Sequence, residues 1–523
     1  MRRLLRAAQR AGRGLLARAD SAFNALYTWR YNPLYHSGAL VVACFLILTV
    51  TGLYLLLFYR IGAPYDSVAR ITDQAFAGRW IRTLHRYVSD LAVVAIVVHA
   101  FRMFVQDRAW GPRALAWVSG VVLTLVFFVC GWTGYVMVWD VQAQLLAAEG
   151  ARLFDFLPIF DEPISRAFVG DRPMPSAFFF MNLFAHIAIP VGIALILWIH
   201  VSRLARANVM PPRPLLWGTV ALFTLVSLAW PVTMAQEADL LRLPTDVPFD
   251  VFYSFPWPIT RALPAGVAWL GLMGLFAIAL SVPVLTRPGP ADGRAPSWVN
   301  PRFCTGCEQC YHDCPYEAIG MVRRDDGREG FVALVDPSKC VSCGICAGSC
   351  APMGVGPPGR TGRDQLAEVR AFIDEAQPSA ESVVLVACRH SAGGRRRSDH
   401  ATPVFPVPCV GALHTSVIEY LVRAGAAGVV VVACPSRDCW NREGVTWFLE
   451  RAYNQREAEL QERVDRRRLH VAYIAESESA KLEDEIARFR ASLEALGGGS
   501  AEATIDIVAL CDVPEVSVTE VEA

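Results

Sequence analysis

The sequence carries no net charge, because its 49 lysines and arginines balance its 49 aspartates and glutamates. Without an excess of positive charge it lacks the electrostatic signature of a nucleic-acid-binding protein, and we expect no nucleic-acid partner. Charged residues of either sign are scarce at 19%, whereas hydrophobic residues make up 54% of the 523 positions. This balance favours a membrane protein built from roughly two to four domains.

The N-terminal segment lacks the features of a secretory signal. Residues 1–37 contain seven arginines and one acidic residue, but neither a long apolar core nor a small-residue cleavage site. Such a composition predicts a basic segment that stays in the cytoplasm. The chain also lacks a glycine-rich nucleotide-binding motif, which places any nucleotide chemistry on a separate protein.

Long apolar stretches dominate the first half of the chain. Six of them are long enough to cross a hydrocarbon core of ~30 Å. The loops at 103–113 and 203–213 are basic, whereas 140–180 holds six acids against three arginines. Because basic loops face the cytoplasm, six spans predict a bacterial inner-membrane protein with both termini in the cytoplasm. The stretches lie near 38–59, 83–104, 114–138, 181–202, 214–234 and 265–286.

Changes in composition mark the domain boundaries. One segment rich in proline and glycine follows the last apolar stretch, and a second such segment follows a cysteine-rich segment. After the second of these, five strand-like runs alternate with helical stretches, which is typical of a parallel α/β domain. The runs are SVVLVAC, VFPVPC, GVVVVAC, HVAYIA and TIDIVAL. The predicted domains are a basic segment (1–37), an all-α transmembrane bundle (38–286), a linker (287–303), an α+β cysteine-rich domain (304–352) and an α/β domain (364–523).

Four histidines interrupt two of the apolar stretches. His85 and His99 are fourteen positions apart, and so are His186 and His200. Fourteen residues correspond to ~21 Å of helix, so the two histidines of each helix lie near opposite edges of the membrane. If the two helices are antiparallel, His85 pairs with His186 and His99 with His200. The pattern therefore predicts two stacked sites with two imidazoles each.

The chemistry of these sites favours haem over two alternatives. Core histidines satisfied by their neighbours are one alternative, but four polar groups at matched spacing in a membrane are costly. Zinc is the other, and it would find only two ligands at each level. Two axial imidazoles suit haem. Glycines are common in membrane helices, but four of them here repeat the same spacing of fourteen. A glycine would let a flat macrocycle approach the backbone. The four glycines are Gly38, Gly52, Gly120 and Gly134.

Two arginines flank the histidines at the helix ends. Arg82 lies three positions before His85, and Arg102 lies three positions after His99. Their side chains could pair with haem propionates or simply extend to the membrane surface.

The four histidines, four glycines and two arginines recur together with the segments GWTGYVMVW (131–139) and EPISRAFVGD (162–171). In these features, residues 30–204 resemble cytochrome b of quinol-oxidising bc-type complexes. The resemblance implies haem b on His85 and His186 near the outer face and a second haem b on His99 and His200 near the cytoplasm. It also implies a quinone site near each haem. Photosynthetic relatives attach an extra haem through a cysteine where His36 stands here, so that haem is not expected.

The following residues, 208–286, resemble a degenerate form of the next helices of that family. Aligning FDVFYSFPWPITRALP with the outer quinol site places Asp250 at the position of a glutamate, with Tyr253 close by. A carboxylate there could accept a quinol proton, or it could be one more solvated acid of an acidic loop. A Rieske partner is not visible in this chain.

Eight cysteines form two runs of the pattern C-x2-C-x2-C-x3-C. Such a run gives three thiolates to one [4Fe–4S] cluster and its last thiolate to the other cluster. Zinc is the alternative for paired C-x2-C motifs, but eight cysteines in this order disfavour it. The segment resembles bacterial two-cluster ferredoxins. One predicted cluster has ligands Cys304, Cys307, Cys310 and Cys350, and the other has Cys340, Cys343, Cys346 and Cys314.

Four further cysteines belong to the α/β domain. Cys388, Cys409 and Cys434 each end a strand-like run, and Cys439 follows five positions after the last of them. Parallel strands end at one edge of a sheet, so these thiols should meet there, although isolated buried cysteines are the alternative. The region resembles the delta subunit of methyl-viologen-reducing hydrogenase, which implies one [2Fe–2S] cluster, with zinc left open. Cys44, Cys130 and Cys511 have no evident partner.

These resemblances imply a membrane electron-transfer protein. The expected function is electron transfer between membrane quinone and a cytoplasmic partner, either a flavoprotein or a heterodisulfide-reductase-like or hydrogenase-like module. An electron-transfer subunit without its own quinone site and a redox sensor are the alternatives. The sequence is compatible with a homodimer but fixes neither the oligomeric state nor the direction of electron flow.

Overall fold

The computed structural model describes residues 2–497 except positions 160, 203, 205–206, 243–246, 248–249, 289–293 and 454–455. The chain divides into two compact units, one of Met1–Arg10 with His36–Arg287 and one of Ala11–Tyr35 with Pro288–Ala523. Cys511 and the strand-like run TIDIVAL lie outside the described residues.

The first unit is helical. The N-terminal helix α1 (Arg2–Tyr31), which is interrupted at Thr28, is divided between the two units, and nine α-helices follow in the described part of His36–Arg287. They are α2 (Ser37–Leu56), α3 (Pro64–Asp73), α4 (Gly78–Val105), α5 (Ala114–Val136), α6 (Val141–Phe154), α7 (Ser176–Ser202), α8 (Arg213–Ala229), α9 (Trp257–Ala262) and α10 (Ala265–Thr286).

Five segments of the described residues are long and apolar enough to cross a membrane, namely α2, α4, α5 with its preceding turn, α7 and α10. The predicted span at 214–234 corresponds to α8, which has 17 residues. A helix of that length extends ~25 Å, less than a hydrocarbon core of ~30 Å. Helix α8 ends where Trp230 leaves the helical conformation, with φ −131° and ψ 75°. Whether α8 crosses the membrane, and with it the count of six, remains a prediction.

Two helix pairs build the core of this unit. Helix α2 packs along α4, and α5 packs along α7. Cys44, Val88, Ala92, Phe127 and Ile193 are buried together at these contacts. Cys44 therefore has a packing role, which its position in an apolar stretch left open.

The second unit contains a small cysteine-rich segment. Strands β1 (Trp298–Val299), β2 (Ile319–Arg323), β3 (Phe331–Val335) and β4 (Val355–Gly356) form two antiparallel pairs, β1 with β4 and β2 with β3. Two one-turn helices, α11 (Gln309–His312) and α12 (Ile345–Gly348), each carry one of its cysteines. The segment has an internal two-fold repeat, because each half contributes one cysteine run, one short helix and two strands.

A parallel sheet of order β6-β5-β7-β8 follows. Its strands are β5 (Val383–Cys388), β6 (Val404–Val407), β7 (Gly428–Ala433) and β8 (Leu469–Tyr473), and its helices are α13 (Gly362–Ala376), α14 (Thr415–Arg423), α15 (Gly444–Tyr453) and α16 (Ser479–Gly497). Strands β5 and β7 are fully buried, as their unbroken apolar runs require in a sheet covered on both faces. Four of the five strand-like runs thus form one parallel sheet.

Candidate haem and iron–sulfur sites

The structure brings the four membrane histidines together in the two pairs that the spacing predicts. The ring centres of His99 and His200 are 6.5 Å apart. His85 and His186 lie close enough to interact electrostatically. A metal–imidazole bond is about 2 Å long, so two imidazoles on opposite sides of one metal have ring centres roughly 6 Å apart. The residues present therefore fit a haem with two axial imidazoles.

Local hydrogen bonds orient three of the four rings. Thr51 Oγ1 lies 2.8 Å from Nδ1 of His85, and Ser119 Oγ lies 3.0 Å from Nδ1 of His200. Nδ1 of His186 lies 3.0 Å from both Thr133 Oγ1 and the carbonyl oxygen of Cys130. A partner on Nδ1 fixes the ring and leaves Nε2 as the metal ligand.

The sequence interpretation missed these hydroxyl groups, although a repeated signal marks them. Thr51, Ser119 and Thr133 each directly precede one of the four spaced glycines, and Ser37 precedes the remaining one. The dipeptide Ser/Thr-Gly thus occurs four times at the positions that face the histidines.

The four glycines lie against imidazole rings. A Cβ atom at Gly38 would be 2.8 Å from Cε1 of His99, and at Gly134 it would be 2.9 Å from Cε1 of His186. Cβ atoms at Gly52 and Gly120 would approach Cε1 of their histidines, His85 and His200, to 3.2 and 3.3 Å. Each glycine therefore faces the Cε1–Nδ1 edge of a histidine ring, and close approach of a macrocycle to the backbone there stays a prediction.

The flanking arginines are held within the helical unit. Nη1 of Arg82 donates to the carbonyl oxygen of Val232 at 3.0 Å, which leaves other donors of the guanidinium for an anion. Arg102 is buried at 2% exposure. This burial argues against extension of Arg102 to the membrane surface, and pairing with a haem propionate stays a prediction.

Asp250 is buried rather than solvated. Its carboxylate pairs with Arg86 and accepts a hydrogen bond from Tyr135. Its Oδ1 also accepts the backbone N–H groups of Phe252, at 2.6 Å, and Tyr253, at 3.0 Å. The alternative of an ordinary acid in a solvated loop is therefore wrong, because the side chain of Asp250 is only 7% exposed.

Tyr253 completes this cluster. Its side chain is 1% exposed, and its hydroxyl lies 2.6 Å from Ser89 Oγ. Its ring occupies the space above Gly131, where a Cβ atom would overlap it. Phe128 stacks on the same ring with centroids 5.8 Å apart.

Arg86 and Asp90 are site residues that the sequence interpretation missed. Arg86 contacts both Asp90, four residues along α4, and Asp250. The missed signal was visible in the sequence, because ionisable side chains inside an apolar span are rare and mark functional sites. Arg86 also lies directly after His85, so this charged cluster adjoins one of the histidine pairs.

The structure places the eight clustered cysteines around two neighbouring positions, and their division into two ligand sets stays a prediction. Four of them line one cavity, which also contains Met321 and Val355. Cys343 and Cys346 lie within electrostatic range of Cys314 and Cys340. Burial raises the pKa of Cys346 to about 12, so only a bound cation would hold its thiol as a thiolate at neutral pH. The cysteines of the cavity are Cys304, Cys307, Cys310 and Cys350.

The two cysteine runs have matching backbone geometry. The second and fourth residues after the first cysteine of each run have positive φ, at 76° and 64° in the first run and 60° and 82° in the second. These residues are Gly306 and Glu308, and Ser342 and Gly344. Backbone N–H groups point to sulfur atoms at equivalent positions, from Ala318 to Cys314 at 3.3 Å and from Gly354 to Cys350 at 3.2 Å. Such N–H groups stabilise thiolates of iron–sulfur clusters.

The four cysteines of the α/β domain meet at one edge of the sheet. Hydrogen bonds join Cys388 to Cys434, Cys434 to Cys439, and Cys439 to Cys409. All four are at most 3% exposed. The bond that Cys439 accepts from Cys409 holds its pKa well below the usual range. Isolated buried cysteines are therefore excluded by this geometry. Within the part of the chain that the structure describes, no three His, Cys, Asp or Glu side chains form a site for a single metal ion.

Comparisons with known proteins give the same three parts. Residues 25–208 match the family model for cytochrome b/b6/petB. Residues 303–354 match the 4Fe-4S dicluster domain, and residues 380–497 match the delta subunit of methyl-viologen-reducing hydrogenase. The chain is a fusion of these three kinds of domain, as its motifs predict.

Individual relatives match the cytochrome part. Cytochrome b6 of Mastigocladus laminosus is 26% identical over 199 residues, which are 38% of this chain and 93% of that protein. Cytochrome b6 of Synechococcus elongatus is 34% identical over 111 residues, 21% of this chain and 52% of the relative, so the chain spans about half its length. The solved structure "Hyperthermophilic respiratory Complex III" has a TM-score of 0.40 and 17% identity, covering 48% of this chain and 75% of that chain.

Together these observations define a multi-pass membrane protein with a role in electron transfer. The cytochrome b domain implies haem b, and the dicluster domain implies iron–sulfur clusters.

Proposed function

We propose that this protein carries electrons between a cytoplasmic iron–sulfur protein or flavoprotein and the quinone pool of a bacterial inner membrane. The observation that supports it most directly is the pairing of histidines on α4 and α7, with the rings of His99 and His200 6.5 Å apart. The same chain holds the cysteines for several further one-electron centres.

Each residue group has a defined task in this proposal. His85 with His186 and His99 with His200 would hold two b haems, and Arg82 and Arg102 would supply positive charge to their propionates. The cysteine groups hold two [4Fe–4S] clusters and one [2Fe–2S] cluster, and these centres supply one-electron chemistry when bound. Buried pockets keep water from the thiolates, and backbone N–H groups tune their charge.

The cluster around Asp250 is the proposed quinone-side proton acceptor. Accepting a proton would neutralise the carboxylate and release Arg86, which keeps Asp90 as its second partner. Arg86 would therefore not be left as an unpaired buried charge, a state that is costly. Tyr253 and Phe128 supply the aromatic wall next to this carboxylate.

The alternative is an electron-transfer subunit that has no quinone site of its own. The saturation of Asp250 favours it, because Arg86, Tyr135 and two backbone N–H groups already occupy the carboxylate. A quinol would have to displace one of them.

The C-terminal domains are the proposed docking site for the cytoplasmic partner. The domain similar to a hydrogenase delta subunit supports docking of a flavoprotein or of a heterodisulfide-reductase-like or hydrogenase-like module. A homodimer, with both termini of each chain in the cytoplasm, is part of this proposal.

A stopped-flow experiment on the purified full-length protein tests the proposal. A low-potential reductant should reduce the iron–sulfur centres first and the b-type absorbance next, and a soluble quinone should reoxidise both. Haem that is reduced by the head but is never oxidised by quinone would support the alternative instead. Failure to reduce haem through the head would refute both.

A further inference from the structure

A single buried arginine joins the cysteine-rich segment to the α/β domain. Arg451 on α15 is 1% exposed. Its Nη1 donates to Ser349 Oγ at 3.0 Å and to Asp313 at 3.5 Å. Its Nη2 donates to the carbonyl oxygens of Gly411, at 2.8 Å, and Leu413, at 3.4 Å. Burying a guanidinium is costly unless such partners are present.

The partners of Arg451 lie beside cysteines of three different centres. Asp313 directly precedes Cys314, and Ser349 directly precedes Cys350. Gly411 lies two residues after Cys409. Each of the two [4Fe–4S] sites and the four-cysteine site therefore has a residue close to one of its cysteines that accepts a hydrogen bond from the same guanidinium.

The backbones at this junction approach closely. A Cβ atom at Gly348 would be 2.8 Å from the carbonyl oxygen of Gly411 and 2.7 Å from Nη2 of Arg451. Only a glycine therefore fits between α12 and the turn that follows Cys409. On the other side, Nη1 of Arg442, three residues after Cys439, donates to the carbonyl oxygen of Pro315 at 3.0 Å.

The junction also carries net positive charge. Asp313, which is 1% exposed, pairs with both Arg451 and Arg456. Burial lowers the pKa of Arg451 to about 10, which leaves its guanidinium charged at neutral pH. One carboxylate against two guanidiniums leaves one positive charge next to the cysteine sites. Reducing a cluster adds negative charge, which a nearby cation stabilises.

We propose that Arg451 is a positioning residue that fixes the four-cysteine site against both [4Fe–4S] sites and raises the reduction potentials of all three centres. Electrons then pass between the two domains at this junction. This inference rests on the proposed function only in assuming that all three sites hold iron–sulfur clusters. A purely structural ion pair would hold the domains without setting potentials or the coupling between centres.

The test uses the full-length protein with Arg451→Lys, Arg451→Met and the double variant Arg451→Met/Asp313→Asn. Iron and sulfide content, midpoint potentials from redox titration and magnetic coupling between centres from electron paramagnetic resonance are measured. Arg456→Met is the matched control, because Arg456 also pairs with Asp313 but contacts neither Ser349 nor Gly411.

Arg451→Met should lower the potentials and weaken the coupling between the four-cysteine site and the [4Fe–4S] centres. Arg451→Lys should restore the potentials but only part of the coupling, because an ammonium lacks the planar fork that reaches all partners. The double variant removes the opposite charges of Arg451 and Asp313 together, so it should keep near wild-type potentials while losing the coupling. This variant remains informative if Arg451→Met does not fold. Arg456→Met should lower potentials and keep the coupling.

Unchanged coupling in the double variant, or unchanged potentials in Arg451→Met, with full cluster content, would overturn the inference and leave the proposed function intact. A wild-type protein without three iron–sulfur signals would overturn this inference and the head of the proposed function together.

Discussion

Replacing Gly134 with alanine should displace one haem ligand and spare the other site. The added Cβ atom would lie 2.9 Å from Cε1 of His186, so the ring would have to retreat by about 0.6–1 Å to reach an ordinary contact of ~3.5–4.0 Å. Metal–ligand distances tolerate only about ±0.2 Å. Overpacking of this kind also costs about 1–3 kcal/mol. We therefore expect loss or weak binding of the haem on His85 and His186.

The four glycines should form a graded series. Gly38→Ala, at 2.8 Å from His99, should be as severe as Gly134→Ala, whereas Gly52→Ala and Gly120→Ala, at 3.2 and 3.3 Å, should retain haem with shifted spectra. Haem content by pyridine haemochrome and low-temperature difference spectra of purified protein provide the assay, because the two sites should differ in absorbance maximum and potential.

Gly192→Ala is the matched control on the same helix as His186. Beyond the chain neighbours of Gly192 and its own helix backbone, no atom of the described residues lies within 4 Å of a Cβ at Gly192. Alanine is favoured over glycine in a helix by about 0.8–1 kcal/mol. This variant should retain both haems. Two unperturbed haems in Gly134→Ala would refute the reasoning, and equal haem loss in Gly192→Ala would show that the effect is not specific to the histidine face.

Three further predictions concern the other sites. Asp250→Asn should slow quinone-linked reoxidation of haem while haem content stays intact. Stopped-flow absorbance measures the rate, with Asp90→Asn as the comparison variant. Unchanged rates over a range of pH would show that Asp250 takes no part in proton transfer. The electron paramagnetic resonance signal of the third iron–sulfur centre should be abolished by each of four single variants of the full chain, namely Cys388→Ala, Cys409→Ala, Cys434→Ala and Cys439→Ala. Cys130→Ala should leave this signal intact. Stoichiometric zinc in place of the cluster would make this domain a docking platform. If α8 and α10 each cross the membrane once, reporter fusions after Arg213 and after Arg287 should both indicate the cytoplasm. A periplasmic signal after Arg287 would establish an odd number of spans and overturn the donor assignment.

Much of the site chemistry was predictable from the sequence because it is encoded in short-range spacing. A helix rises regularly, so histidines fourteen positions apart fall near opposite membrane edges whatever surrounds them. Parallel strands share one edge, so cysteines at strand ends had to meet once the runs were recognised as strands. The cysteine runs likewise fix their grouping, because three close thiolates wrap one cluster and the fourth reaches the other.

Only the tertiary structure decided which partners the remaining side chains meet. Asp250 and Arg86 are 164 positions apart, and no local pattern predicts that α4 and the non-helical segment holding Asp250 come together. The glycines face imidazoles rather than open space because α2 packs along α4 and α5 along α7. Arg451 is one of many arginines in the sequence, and its contact with segments of three centres depends on how two domains pack. Long-range contacts of this kind are set by the global packing of the core, whereas periodicity and spacing record only the geometry of single elements.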